Sequence, residues 1–182
     1  MDEQLEFMRL IAERLDAEGI QHMLTGSMAL AVYATPRMTR DIDVVIDCNP
    51  AQAQRLARQF SADSYASEDA AREAAHTKGT FNVIHHESLT KADFIVLKDD
   101  EYHQTEFARR RKVELTGFSM SIVAPEDLIL SKLAWAGGTG SEQQGRDVRA
   151  LLASVRGLDE AYLAKWAAHL GVYSQLALAR RP

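Results

Sequence analysis

Asp41 and Asp43 stand two residues apart in the segment Asp41-Ile42-Asp43-Val44-Val45-Ile46. On a β-strand that spacing puts both carboxylates on one face, while Ile42 and Val44 point into the opposite layer. Two acids held side by side repel, and burial worsens the repulsion unless a cation lies between them. A hard divalent ion such as magnesium resolves the conflict, because it prefers oxygen ligands and keeps waters that phosphate oxygens can displace. The same Asp-X-Asp pair also marks solvated strand ends, caps and turns, so its meaning depends on its neighbours.

Two neighbours bear on it. Gly26-Ser27 falls between a short strand candidate and an apolar helical stretch. A glycine there admits close backbone approach, and the serine with the first helix amides can hold a phosphate group. A tight turn followed by an ordinary N-cap explains the pair equally. Asp93 interrupts the apolar run Ala92-Asp93-Phe94-Ile95-Val96, where a carboxylate is costly unless paired, coordinated or placed at the sheet end. It can complete a three-carboxylate site, or form a salt bridge near Lys91 or to a distant arginine.

These residues need elements to position them. Leu5, Met8, Ile11, Ala12 and Leu15 recur at helical spacing ahead of Gly19, which predicts an amphipathic first helix over 3–18. Gln21 to Thr25 reads as a short strand and Met28 to Tyr33 as an apolar helical stretch. Ile42 to Ile46 is a β-branched strand, and Asn49-Pro50 starts a helix running to Phe60. Residues 61–79 are polar and alanine-rich without a clear period, and read as loop with some helix. Strands are expected at 80–84 and 91–97, joined by a short connection that makes the sheet mixed or partly antiparallel. A helix over 100–111 and strands at 112–115 and 118–123 follow.

Pro125-Glu126-Asp127 opens a helix reaching Trp135, with proline and acids where the exposed amides favour them. Residues 137–141 read as a flexible break, after which 146–154 and 159–180 are helical. The expected fold is therefore α+β, with a core over residues 1–123 and a helical part over 124–182 packed on it. Trp135, Tyr162, Trp166 and Leu170 fall at helix-packing spacings. His85 and His86 lack a partner set for zinc, and Cys48 reads as packing.

A formal charge of -5, from 21 Lys and Arg against 26 Asp and Glu, excludes a protein that coats nucleic acid by global attraction. A local basic groove stays open, and Arg109-Arg110-Arg111-Lys112 is the one concentrated basic run; a solvated helix end explains it as well. One cysteine excludes an intramolecular disulfide. The charged, periodic N-terminus lacks the features of a signal peptide, and no apolar run reaches membrane-spanning length. A cytoplasmic protein with no membrane partner is the expectation.

Taken in order, Gly26-Ser27-Met28-Ala29-Leu30, the stretch Arg37 to Ile46 and Asp93 resemble the glycine-serine helix start, paired aspartates and third aspartate of the polymerase-beta nucleotidyltransferase superfamily. Within it they are most similar to AbiEii-type abortive-infection nucleotidyltransferases, a group that includes toxins of toxin–antitoxin pairs. Ser121 to Leu133 and Arg146 to Leu152 resemble the helices that follow the core in that group. The resemblance implies a mixed sheet packed by helices and a metal site of Asp41, Asp43 and Asp93 binding Mg2+ or Mn2+. It implies transfer of a nucleoside monophosphate from a nucleoside triphosphate to a hydroxyl acceptor, with release of pyrophosphate. Gly26 and Ser27 would hold phosphates, with Arg37 or Lys132 as a cationic contact. The acceptor could be tRNA or a protein, with a cognate antitoxin as partner. A small antibiotic-like acceptor, or a non-catalytic nucleotide- or partner-binding member of the fold, is the alternative.

Overall fold

In the computed structural model, which describes residues 2–36, 38–139 and 141–181, the chain starts with α1 (Asp2–Ala17), β1 (Gln21–Thr25), α2 (Gly26–Tyr33), β2 (Asp41–Asp47) and α3 (Pro50–Gln59). Then come β3 (Ser64–Ala66), α4 (Glu68–Thr77), β4 (Thr80–His85), β5 (Lys91–Val96), α5 (Glu101–Ala108), β6 (Arg111–Leu115) and β7 (Phe118–Ile122). Among the described residues the chain closes with α6 (Pro125–Thr139), α7 (Glu142–Ser154), α8 (Glu160–His169) and α9 (Tyr173–Ala179). Among the described residues the strands form one mixed sheet in the order β3-β4-β5-β2-β1-β7-β6. β2 pairs antiparallel with β1 and parallel with β5, and β1 pairs parallel with β7.

Strand alternation decides what each face does. Ile42, Val44 and Ile46 of β2, Ala92, Phe94 and Val96 of β5, and Phe81 and Val83 of β4 are buried on one face. Phe7 from α1 and Phe60 after α3 join them there. Phe60 lies 5.8 Å from Phe94, and Phe81 stacks on Phe94 at 5.0 Å. Each such fully buried side chain contributes on the order of 1.5–3 kcal/mol. The opposite face of β2 and β5 carries the polar residues, with α2, α6 and α7 beside it. β1 is buried on both faces through His22, Met23 and Leu24.

Residues 61–79 are more ordered than their composition suggests. Ala71, Ala74 and Ala75 form a narrow buried stripe on α4, and Ser67 caps it by accepting from the Ala70 amide. Alanine methyls bury too little surface to stand out in the sequence, yet they let α4 lie close against α3. The expected break at 137–141 also moves: α6 continues through Gly137 to Thr139, and only Gly140 of that segment lies outside the described residues. The helical stretch expected over 159–180 is divided at Gly171 into α8 and α9.

Arg109 is not a solvated helix end. Its guanidinium reaches Glu126 at 2.9 Å and Asp127 at 3.0 Å and lies 3.8 Å over the Tyr162 ring. Tyr162 donates to Asp127 at 2.5 Å, and Glu126 accepts from the Asp159 amide at 3.1 Å. This buried polar cluster fixes α5, α6 and α8 together. Trp166 packs into it, 2% exposed, whereas Trp135 is 61% exposed and lies at the cleft wall, outside the buried core where packing was expected. Among the described residues, no helix is long and apolar enough to cross a membrane.

Candidate active site

A cleft of about 700 Å³ opens over the polar face of β2 and β5. Its floor holds Asp41, Asp43, Lys91 and Asp93, one end is Thr25-Gly26-Ser27, and the far wall comes from Ser131, Lys132 and Trp135 of α6 with Gln143 and Gln144 of α7. The register across the sheet assembles the floor: Thr25 lies opposite Asp43, Asp43 opposite Asp93, and Asp93 opposite Asn82. These four residues form one row running across β1, β2, β5 and β4, with neighbours about 4.8 Å apart. In the next row of the parallel pair, Lys91 lies opposite Asp41.

Asp93 forms the salt bridge near Lys91 that the sequence allowed. It faces the cleft beside Asp43, and its Oδ2 accepts from Lys91 Nζ at 2.8 Å. Its Oδ1 accepts from Asn82 Nδ2 at 2.5 Å. Lys91 also lies 3.8 Å from Asp41 Oδ1. Asn82 and Lys91 were not among the sequence candidates for the site. Lys91 stands two residues before Asp93 on the same strand, so alternation alone puts it on that face, whereas Asn82 reaches it only through the β4–β5 pairing.

Asp43 carries the electrostatic tension. Burial pushes its carboxyl above the ordinary aspartate range, and the charges of Asp93 and Asp41 push the same way; Lys91 and Lys132 partly offset them. The hydrogen bond to Asp93 in turn raises the Lys91 ammonium above its ordinary range. Among the described residues no three His, Cys, Asp or Glu side chains converge as a metal-binding group. The oxygen donors of Asp41 and Asp43 do fit a hard divalent ion in chemistry and in shared face. Asp93 is held at both oxygens by protein donors.

Gly26 has a role the sequence reading did not assign. Its φ is +64°, and a Cβ at this position would lie 2.0 Å from Asp43 Oδ2. The absent side chain is therefore what lets the Asp43 carboxylate rest against the start of α2. Thr25 makes no side-chain cap there. Ser27 lies in the first turn at the cleft end and is 9% exposed. The loop entering β2 is tied to α1 where Gln4 donates to the Thr39 carbonyl at 3.1 Å, and Thr39 Oγ1 accepts from the Asp41 amide at 3.3 Å.

Lys132 also lines the cleft, but its ammonium is bound to Asp147 at 2.7 Å and Gln144 at 3.1 Å, with Lys132 and Asp147 both buried. It locks α6 to α7 and contributes its field to Asp43. Arg37, the other expected cationic contact, lies outside the described residues. His85 accepts from the Ser88 amide at 3.4 Å and packs on Phe7, away from the cleft. Cys48 is buried, and burial raises its thiol to about 11, as expected of a packing residue.

The mixed sheet and its packed helices have a known architecture. No protein-family model and no curated protein matches the sequence. Solved structures do match. The antibiotic-resistance factor ANT(2'')-Ia superposes with a TM-score of 0.61 at 15% identity, over 97% of this chain and 96% of its own. The lincosamide antibiotic adenylyltransferase LnuA gives 0.58 at 11% identity, over 85% and 98%. An antigenic nucleotidyltransferase-like protein from Paracoccidioides brasiliensis gives 0.55 at 20% identity, over 97% and 93%. The fold of this chain is that of the polymerase-beta-type nucleotidyltransferases, with a C-terminal helical extension.

Proposed function

We propose that this protein transfers a nucleoside monophosphate from a nucleoside triphosphate to a hydroxyl group, with release of pyrophosphate. The observation that carries the reading is the row Thr25–Asp43–Asp93 with Asp41 beside it, set against the start of α2 by Gly26. Asp41 and Asp43 would hold magnesium or manganese, with Asp93 next to them. When bound, that ion supplies positive charge to the triphosphate and to the departing pyrophosphate.

The protein's own groups do the positioning. The first amides of α2, with Ser27, face the phosphates, since helix-start amides are unsatisfied within the helix and carry partial positive charge. Lys132 adds a fixed positive field from the cleft wall while staying bound to Asp147. Core residues 1–123 thus supply the reacting floor, and residues 124–182 supply the facing wall. Trp135, Gln143 and Gln144 on that wall offer a stacking surface and neutral hydrogen-bonding groups to the nucleoside or the acceptor.

Two observations favour a small hydroxylated acceptor, the kind named for LnuA and ANT(2'')-Ia. The cleft volume falls in the range of small-molecule sites, about 300–1,000 Å³. Half of the basic run that would hold RNA is engaged within the protein, where Arg109 binds Glu126 and Asp127 and Arg110 donates to Gln21 at 2.7 Å and to the Phe107 carbonyl at 2.6 Å, while Arg111 and Lys112 are exposed. The AbiEii-type reading, with a tRNA or protein acceptor and a cognate antitoxin, rests on the order of the sequence motifs.

The test is incubation of the purified protein with each labelled triphosphate, Mg2+ or Mn2+, and two acceptor sets, namely aminoglycosides with lincosamides, and total tRNA. Label transfer to the first set that disappears in Asp43→Ala supports the proposal. Transfer to tRNA alone supports the toxin-like reading instead. Transfer that persists after loss of both Asp41 and Asp43 refutes the site, and tight nucleotide binding without turnover favours a non-catalytic member of the fold.

A further inference from the structure

Among the described residues, four charged side chains line the floor of the cleft, and one of them is already a cation. The parallel register of β2 and β5 puts Lys91 opposite Asp41 and Asp93 opposite Asp43. Asp41 and Asp93 therefore sit on one diagonal of the square, and the Lys91 ammonium contacts both, at 3.8 and 2.8 Å. A second divalent ion shared by Asp41 and Asp93 would need that same space. It would also need an oxygen of Asp93, but Lys91 takes Oδ2 and Asn82 takes Oδ1. An ammonium carries donors only and cannot ligate a metal, so ion and lysine exclude each other by charge as well as by volume. Three carboxylates and one ammonium leave two net negative charges, the charge of one divalent ion.

Resting on the transferase reading, we infer that the site holds a single divalent ion, on Asp41 and Asp43, and that Lys91 stands in the position of a second one. Asp93 is then a positioning residue. Clamped by Asn82 on one oxygen, it aims the Lys91 ammonium into the cleft with the other. Lys91 keeps its side chain 38% exposed there, within reach of an incoming anionic or hydroxyl group. The arrangement places one fixed charge and one exchangeable charge side by side on the floor.

Metal stoichiometry decides the matter without reference to turnover. The protein is titrated with Mn2+ alone, and free ion is read by electron paramagnetic resonance, with calorimetry as the second measurement. Wild type is expected to bind one ion per chain at the cluster, and Asp43→Asn to lose it. Lys91→Gln is expected to bind two, or to bind the first at least tenfold more tightly, whereas Lys91→Arg keeps a single ion because it keeps the charge. Unchanged melting transitions in the Lys91 variants confirm that the fold is intact. Two ions in wild type, both lost in Asp43→Asn, overturn the inference and leave the transferase reading standing. One ion in wild type and no change in Lys91→Gln overturns it as well. Mn2+ binding indifferent to Asp43→Asn overturns both the inference and the reading beneath it.

Discussion

Replacing Gly26 by alanine puts a methyl group where the Asp43 carboxylate rests. The added Cβ would lie 2.0 Å from Asp43 Oδ2 and 2.8 Å from its Cγ, so the carboxylate must retreat by more than ~1 Å to regain ordinary contact distance. The backbone adds its own penalty, because φ at Gly26 is +64° and an L-residue there costs roughly 1–2 kcal/mol. Gly19 supplies the control. It has the same φ of +64° with nothing within 4 Å of the added Cβ, so Gly19→Ala takes the backbone penalty alone. With overpacking at about 1–3 kcal/mol, Gly26→Ala is expected to lose roughly 2–5 kcal/mol and Gly19→Ala roughly 1–2. Thermal denaturation separates them, at about 2–4 °C per kcal/mol for a chain of this size. Function separates them further: a displacement of ~1 Å at a reacting centre can cost ~100-fold, so Mn2+ affinity and label transfer fall by about that factor in Gly26→Ala and stay near wild type in Gly19→Ala. If folded Gly26→Ala keeps both within about threefold of Gly19→Ala, by the same argument on displacement, Asp43 is not held where the chemistry needs it and the reasoning fails.

Other consequences are open to simple measurement. Burial, with the charges of Asp127 and Asp100, raises the Glu106 carboxyl from 4.5 to about 8. The folded state then binds more protons than the unfolded one between those values, so this group's contribution to stability falls as pH rises from about 5 to 8. Glu106→Gln removes that slope, and by linkage its unfolding free energy should gain on wild type by on the order of 3 kcal/mol across the interval in urea titrations. Arg109→Met strands two buried carboxylates, Glu126 and Asp127, and should lower stability by about 3 kcal/mol; a loss under about 1 kcal/mol would mean that the cluster does not hold α5, α6 and α8 together. Without metal, Asp43→Asn relieves like-charge repulsion and should stabilise by about 1 kcal/mol while abolishing transfer, the trade expected of a functional site. A less stable metal-free variant would contradict the tension at Asp43.

The local devices were legible in the chain. The Asp41-Ile42-Asp43 alternation showed one wet and one buried face of β2, which the burial pattern repeats. Asn49 caps α3 with Pro50 at its start, and Pro125-Glu126-Asp127 opens α6. These follow from backbone geometry within a few residues. Less legible were α4, whose alanine stripe carries a weak hydrophobic signal, and the glycines at the end of α6, which helical context overrides. Within the basic run, Arg109 departed from a solvated helix end because its partners lie 17 and 18 residues away.

What the sequence determined by itself was the inventory: an acidic pair on one strand face, a glycine-serine helix start, a later strand aspartate and an α+β order of elements. Only the tertiary structure decided who stands beside whom. Asp43 meets Asp93 because β2 and β5 pair in parallel across an intervening α3, β3, α4 and β4, and that register brings Lys91 and Asn82 with it. Gly26 gained its meaning only when the antiparallel β1–β2 pair laid Asp43 against it. A side chain's face is a local property with a period of two, whereas its partner across the sheet depends on which register buries the whole apolar face, a property no short segment contains.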